Sequence, residues 1–164
     1  MVDAVEMQLV GVRVELPTNQ PIVLLREREG ERFLPIWIGP VEATAIAFAL
    51  QGIVTQRPMT HDLLKSVLEE VGVTIERIVI TELRETTFYA TLEMARDGAQ
   101  YSVSSRPSDA IALAVRSGVP IFAAPDVLSD AGIVIHDEDE ETEVQKFREF
   151  IESVSPEDFG ANPF

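Results

Sequence analysis

The sequence predicts an α+β fold: a single compact domain with a mixed or antiparallel sheet, three packed helices and a C-terminal helix. Three observations carry that expectation. The length, 164 residues, is that of one domain, and 46% hydrophobic residues are enough for a sizeable core. Strand-like segments come three in a row, twice over. Short alanine- and leucine-rich segments of helical character follow or separate those groups.

Val5 to Leu16 reads as the first strand. Its apolar residues fall at Val5, Met7 and Leu9, then switch parity to Val10, Val12, Val14 and Leu16, so a β-bulge is expected beside Gly11. After the turn Pro17–Pro21 come strands Ile22–Arg28 and Arg32–Ile38, separated by Glu29-Gly30-Glu31. The third strand is apolar on both faces, which predicts cover on both, while Pro35 within it favours an edge or a bulge. Gly39-Pro40 opens a helix over Val41–Gln51, with Gly52 suited to its C-terminal cap. That helix has almost no polar side and is expected to be buried nearly all round.

The next helix is amphipathic through Leu63, Leu64, Val67, Leu68 and Val71, with Thr60 as N-cap and Gly72 just past its end. Strands follow at Val73–Leu83, Thr87–Met94 and Gln100–Ser104, and Asp97-Gly98 signals a hairpin between the last two. Pro107 starts a third helix, apolar all round over Ala110–Val115 and ending near Ser117-Gly118. A short buried strand at Pro120–Ala123, a loop or helical turn at Pro125–Gly132 and an edge strand at Ile133–Ile135 complete a domain over residues 1–135.

The remainder, 136–164, reads differently. Asp137–Glu143 holds six acids in seven residues and predicts a solvated linker. Val144, Phe147, Ile151 and Val154 then recur at helical spacing, with Phe150 nearby, and Ser155–Phe164 reads as a loose tail. The apolar stripe and the two-faced third strand together predict a homo-oligomer, a dimer or trimer. One internal echo stands out: Pro40-Val-Glu-Ala and Pro107-Ser-Asp-Ala both lead an alanine-rich helix behind a strand. A shared packing need, met with small residues, explains it better than a duplication.

The formal charge is −15, which argues against a broad basic footprint for long duplexes. Acid is concentrated at the end, however, because residues 129–164 carry −9 and residues 1–128 only −6. A local basic patch or a metal-held phosphate is compatible with that body, since distant charges are screened. There is no cysteine, which removes disulfides, thiolate metal sites and cysteine nucleophiles and fits a reducing cytoplasm. Met1-Val-Asp-Ala-Val-Glu lacks the features of a signal peptide, and no apolar run is long enough to span a membrane.

The polar residues of interest gather at three helix starts: Gly39-Pro-Val-Glu42, Arg57-Pro-Met-Thr-His-Asp62 and Ser105-Arg-Pro-Ser-Asp109. Helix N-termini offer free N–H groups to anions, arginines add forked donors, and carboxylates can hold a divalent metal. Glu42 and Asp109 are either dipole-stabilising first-turn acids or site carboxylates placed beside the core. Thr60 and Ser108 read as caps or as ligand-binding hydroxyls, and Arg57 and Arg106 as ion-pair or phosphate partners. His61 is a surface histidine or a general base, whereas His136 adjoins the acidic run. Trp37, Phe88 and Tyr89 read as core or as base-stacking aromatics.

Four blocks carry a family resemblance: Leu34-Pro-Ile-Trp-Ile-Gly-Pro-Val-Glu-Ala43, Arg57-Pro-Met-Thr-His-Asp-Leu63, Thr87-Phe-Tyr-Ala90 and Ser105-Arg-Pro-Ser-Asp-Ala-Ile-Ala-Leu-Ala114. In order and spacing, over residues 5–130, they resemble the bifunctional nuclease family. The resemblance implies cleavage of RNA and DNA by a compact oligomeric α+β domain, and it marks Glu42, Arg57, Thr60, His61, Asp62, Arg106, Ser108 and Asp109. On that basis Mg²⁺ or Mn²⁺ is expected on Glu42 and Asp109. Arg57 and Arg106, with Thr60 and Ser108, are expected to bind the phosphate, and His61 and Asp62 to serve catalysis. Family members often carry an aspartate where this chain has Ser104; if that aspartate is a metal ligand, this chain has lost it. The alternative reading is a non-catalytic oligomeric binding or regulatory module.

Overall fold

The structure is a computed structural model that describes residues 3–15 and 19–135. The acidic run, the C-terminal helix, the tail and His136 lie outside the described residues. Strands β1 (Val5–Glu15), β2 (Gln20–Glu27) and β3 (Arg32–Trp37) lead to helices α1 (Pro40–Leu50) and α2 (Thr60–Glu70). Strands β4 (Thr74–Arg84), β5 (Thr87–Arg96) and β6 (Ala99–Ser105) lead to α3 (Pro107–Ser117). β7 (Ile121–Ala123), α4 (Pro125–Ala131) and β8 (Ile133–Val134) follow. No helix among the described residues is long and apolar enough to cross a membrane.

All eight strands form one mixed sheet in the order β6-β5-β4-β7-β1-β2-β3-β8. It consists of two antiparallel meanders, β1-β2-β3 and β4-β5-β6, joined by the three-residue β7. β7 runs antiparallel to β1 and parallel to β4. Each meander is followed by a proline-led helix, so the sequence echo coincides with a repeated β-β-β-α unit. The expected bulge is present: the register of β1 on β2 shifts between Leu9 and Gly11, which turns Met7 and Val12 both inward despite their odd spacing. Asp97 and Gly98 both take positive φ, as the tight hairpin requires. β8 pairs only with Arg32 and Phe33, so Pro35 lies on an open edge as its chemistry demands.

α1 packs on β1 and β2, α3 on β4 and β5, and α4 touches both β4 and β3. The core gathers Ile78, Ile80, Leu25, Leu34, Ile46, Ile111, Leu113 and Leu128, each at most 1% exposed. Two expectations about cover need correction. α1 buries only Ala43, Thr44, Ile46 and Ala47, and its Val41 and Leu50 are exposed. Trp37 at the end of β3 is also exposed, so one face of that strand end is open. α2 buries no residue at all, because it lies against α3 rather than on the sheet. Pro125–Ala131 takes the helical of its two expected forms, and one boundary differs: Met59, not Thr60, occupies the N-cap of α2.

Candidate functional site

All three long helices carry a carboxylate at their third residue: Glu42 in α1, Asp62 in α2 and Asp109 in α3. The first-turn position stabilises negative charge against the helix dipole. Pro40 and Pro107 fix the starts of α1 and α3, so their two acids occupy equivalent places in the two halves of the fold. Packing of α1 and α2 on α3 brings these helix starts together.

Arg106, in the extended residue before α3, joins the two acids. Its Nη1 donates to Glu42 Oε1 at 2.8 Å, and its Nε and Nη2 donate to Asp109 Oδ2 and Oδ1 at 2.9 and 3.2 Å. From α2, His61 Nε2 meets Asp109 Oδ1 at 2.9 Å. The result is a continuous chain Glu42–Arg106–Asp109–His61. Its exposure is graded: the Arg106 side chain is 64% exposed, Asp109 33%, Glu42 18% and His61 13%. A ligand therefore meets the guanidinium first. Burial pushes the Asp109 carboxyl up, but hydrogen bonds from Arg106 and His61 outweigh it and hold the group below the usual carboxylate range. The bonds that Arg106 donates to Asp109, and then the one to Glu42, raise its own pKa.

Asp62 belongs to a second network. Arg116 donates from Nε to Asp62 Oδ1 at 2.7 Å, from Nη1 to the Ala112 carbonyl at 3.0 Å and from Nη2 to the Ala45 carbonyl at 3.0 Å. One nearly buried guanidinium thus ties α1, α2 and α3. The other oxygen of Asp62 accepts from the Met59 N–H at 3.0 Å, closing the start of α2. Burial raises the Asp62 carboxyl, and the bonds from Arg116 and Met59 bring it below its ordinary value. Arg116 has no counterpart among the residues singled out from the sequence. A lone arginine in the last turn of an apolar helix was the available signal.

Neither network, among the described residues, includes Arg57, Thr60 or Ser108. Arg57 is exposed in the loop before α2, where its carbonyl accepts from the Thr55 hydroxyl at 2.5 Å. With Thr55, Gln56, Pro58, Met59 and Leu63 it lines an open groove. Thr60 is exposed, whereas Ser108 is buried in the first turn of α3. Ser104 is exposed near the end of β6. Of the aromatic residues, Phe88 packs against the core, Tyr89 lies under Arg84, and Trp37 is open to solvent.

The expected Mg²⁺ or Mn²⁺ pair, Glu42 and Asp109, already shares one cation. The Arg106 guanidinium bridges the two carboxylates, and no group of three or more metal-ligating side chains occurs among the described residues. As arranged, these residues fit a charge-paired cluster rather than a divalent-ion cage.

A family model described as the bifunctional nuclease domain matches residues 23–136. An uncharacterised protein of Mycobacterium tuberculosis is 48% identical over 164 residues, covering 95% of this chain and 98% of that protein. Bifunctional nuclease 1 of Oryza sativa subsp. indica is 32% identical over 106 residues, 63% of this chain and 32% of that protein. Bifunctional nuclease 2 of Arabidopsis thaliana is 29% identical over 112 residues, 65% of this chain and 34% of that protein. The chain therefore matches about a third of the length of these plant relatives. Its matched segment holds both halves of the Glu42–Arg106–Asp109–His61 chain, and the chain belongs to the bifunctional nuclease domain family.

Proposed function

We propose that the protein hydrolyses phosphodiester bonds of RNA and DNA, which bind transiently at the start of α3. The observation that carries this reading is the convergence of Arg106, Asp109 and His61, from two helix starts, into one hydrogen-bonded chain with its guanidinium outward. Phosphodiester cleavage needs a donor fork for the phosphoryl oxygens and a group that moves a proton. Arg106 supplies the fork by turning its outward donors from Glu42 to the phosphate. Asp109 holds His61 through Nε2, so Nδ1 is the ring nitrogen left for proton transfer. Before substrate binds, Glu42 steadies Arg106 through its Nη1.

A second reading, a non-catalytic binding or regulatory module, draws support from the charge of the same cluster. Two carboxylates against one guanidinium leave a negative excess at the cluster. One experiment separates the readings and tests the expected divalent-ion dependence. Full-length protein is incubated with single-stranded RNA and DNA, with Mg²⁺ or Mn²⁺ and with chelator. His61→Ala is expected to lower cleavage by about 10²-fold or more while the protein stays folded, the usual size of a lost acid–base group. No wild-type cleavage under any condition rejects the nuclease reading, and an unchanged His61→Ala rate removes His61 from the mechanism.

A further inference from the structure

In a chain of formal charge −15 a basic side chain readily finds an acid. Eight of those among the described residues pair with a carboxylate, and Arg13 and Arg26 are engaged as well. Arg57 is the exception. Its guanidinium, exposed in the loop before α2, has no partner among the described residues. Sequence explains why: no Asp or Glu occurs between Glu42 and Asp62, the longest acid-free run in the chain. A cation so placed keeps its full charge for an incoming anion.

The groove beside it has a volume of about 600 Å³ and is lined by the apolar Pro58, Met59 and Leu63 and the polar Thr55, Gln56 and Arg57. That size and that mixture suit a small organic ligand with an anionic group better than a lone ion. Thr55 shapes the loop by donating from its hydroxyl to the Arg57 carbonyl at 2.5 Å. Met59 and Leu63 are half exposed, so the lining is open to an occupant. The groove also runs into the first turn of α2, where His61 and Asp62 reach α3.

We infer that the groove is a second nucleotide subsite, in which Arg57 holds a further phosphate of the strand bound at Arg106 and an unpaired base lies on Met59 and Leu63. The inference rests on the reading that nucleic acid binds at the start of α3. Charge selects the occupant. The cluster sets two carboxylates against Arg106, so a polyanion gains little there, and Arg57 supplies the positive charge that no acid offsets. Reach agrees, because Arg57 precedes His61 by four residues, no more than about 14 Å of extended chain. A base inside a duplex offers only its edges, so an apolar lining selects an unpaired one. Arg57 and Arg106 thus bind two phosphates of one strand and do not share one.

The test titrates the full chain, with chelator present, with thymidine 5′-phosphate and with a thymidine hexanucleotide whose phosphorothioate links resist cleavage. The readouts are the NMR signals of the Met59 methyl and the His61 ring. The mononucleotide is expected to move the Met59 methyl alone. The hexanucleotide is expected to move both signals and to bind about tenfold tighter or more, because it spans the two places. Arg57→Gln removes no side-chain contact of the folded chain. It should silence the Met59 methyl toward the mononucleotide, weaken the hexanucleotide about tenfold and make its salt dependence shallower by about 0.7 in slope. Leu63→Asp should weaken both ligands, and Arg96→Gln, an exposed arginine outside the groove, should change neither. A Met59 methyl that ignores both ligands, or responds to them equally in Arg57→Gln, overturns the inference. So does a duplex that moves it as far as the single strand, or a shift that follows protein concentration alone, the mark of a contact between copies. A protein that cuts nothing but keeps the Met59 response retains the subsite and loses the nuclease reading; cleavage without that response does the reverse.

Discussion

At the scale of single residues, Arg116 shows how much of this site is held by a nearly buried group. Arg116→Met removes the donor for Asp62 and for two main-chain carbonyls, and urea denaturation should record a loss of about 1–3 kcal/mol. Arg116→Lys should recover only part of it, since an ammonium cannot serve three acceptors in a planar fork. A pH dependence follows from the two aspartates. Asp62 and Asp109 both have folded-state pKa values below their ordinary ones. Their contribution to stability is therefore complete above the unfolded-state value and is lost as pH falls through the folded one. The urea midpoint should hold from neutral pH to about pH 5 and fall below about pH 4, where aspartates of the unfolded chain take up protons. In Asp62→Asn the fall should be smaller. An identical acid limb in that variant would remove Asp62 from the account.

At the scale of elements, the two hairpins of the second meander make a natural comparison. Asp97-Gly98 turns with the residues its geometry asks for, while Glu85 and Thr86 adopt positive φ at a turn with no glycine or asparagine. A β-branched residue at φ 89° is strained, and replacing Glu85-Thr86 by Asn-Gly should raise stability by about 1 kcal/mol in urea unfolding. Gly39 is a different case: a Cβ there would collide with the Glu42 carboxylate. Gly39→Ala should drive Glu42 off Arg106 and change cleavage in the same direction as Glu42→Gln, with little effect on thermal stability. Much of this was legible beforehand. Alternation placed the strands, parity placed the bulge at Gly11, and prolines marked the starts of α1 and α3. Periodicity also showed which side of α2 is apolar, but it cannot say what covers that side. In the site, Glu42, His61, Arg106 and Asp109 were visible as helix-start residues. Their linkage was not, because Arg106 and Glu42 lie 64 residues apart and meet only through the packing of α1 on α3. Asp62 was assigned to catalysis because nothing in the spacing names its partner Arg116.

At the scale of the whole molecule, the two β-β-β-α halves explain where the cluster sits. Glu42 and Asp109 occupy the same helical position in each half, and Arg106 spans the seam between them. The seam in the sheet is narrower still, since β7 alone connects the meanders through Val5–Met7 on one side and Ile78–Ile80 on the other. Ile121 is buried in that strand, and Ile121→Ala should cost about 2–4 kcal/mol. If insertion of β7 belongs to the rate-limiting step, stopped-flow refolding slows with the loss of stability. An unchanged refolding rate, with the whole loss in unfolding, would place insertion after the barrier. The position of β7 late in the chain also fixes an order of events on the ribosome. Both meanders emerge before residues 121–123, and until those three residues arrive β1 and β4 each present an unpaired edge. Nascent chains are at that stage most open to pairing with the wrong strand, a hazard that ends when three residues slot between two finished halves.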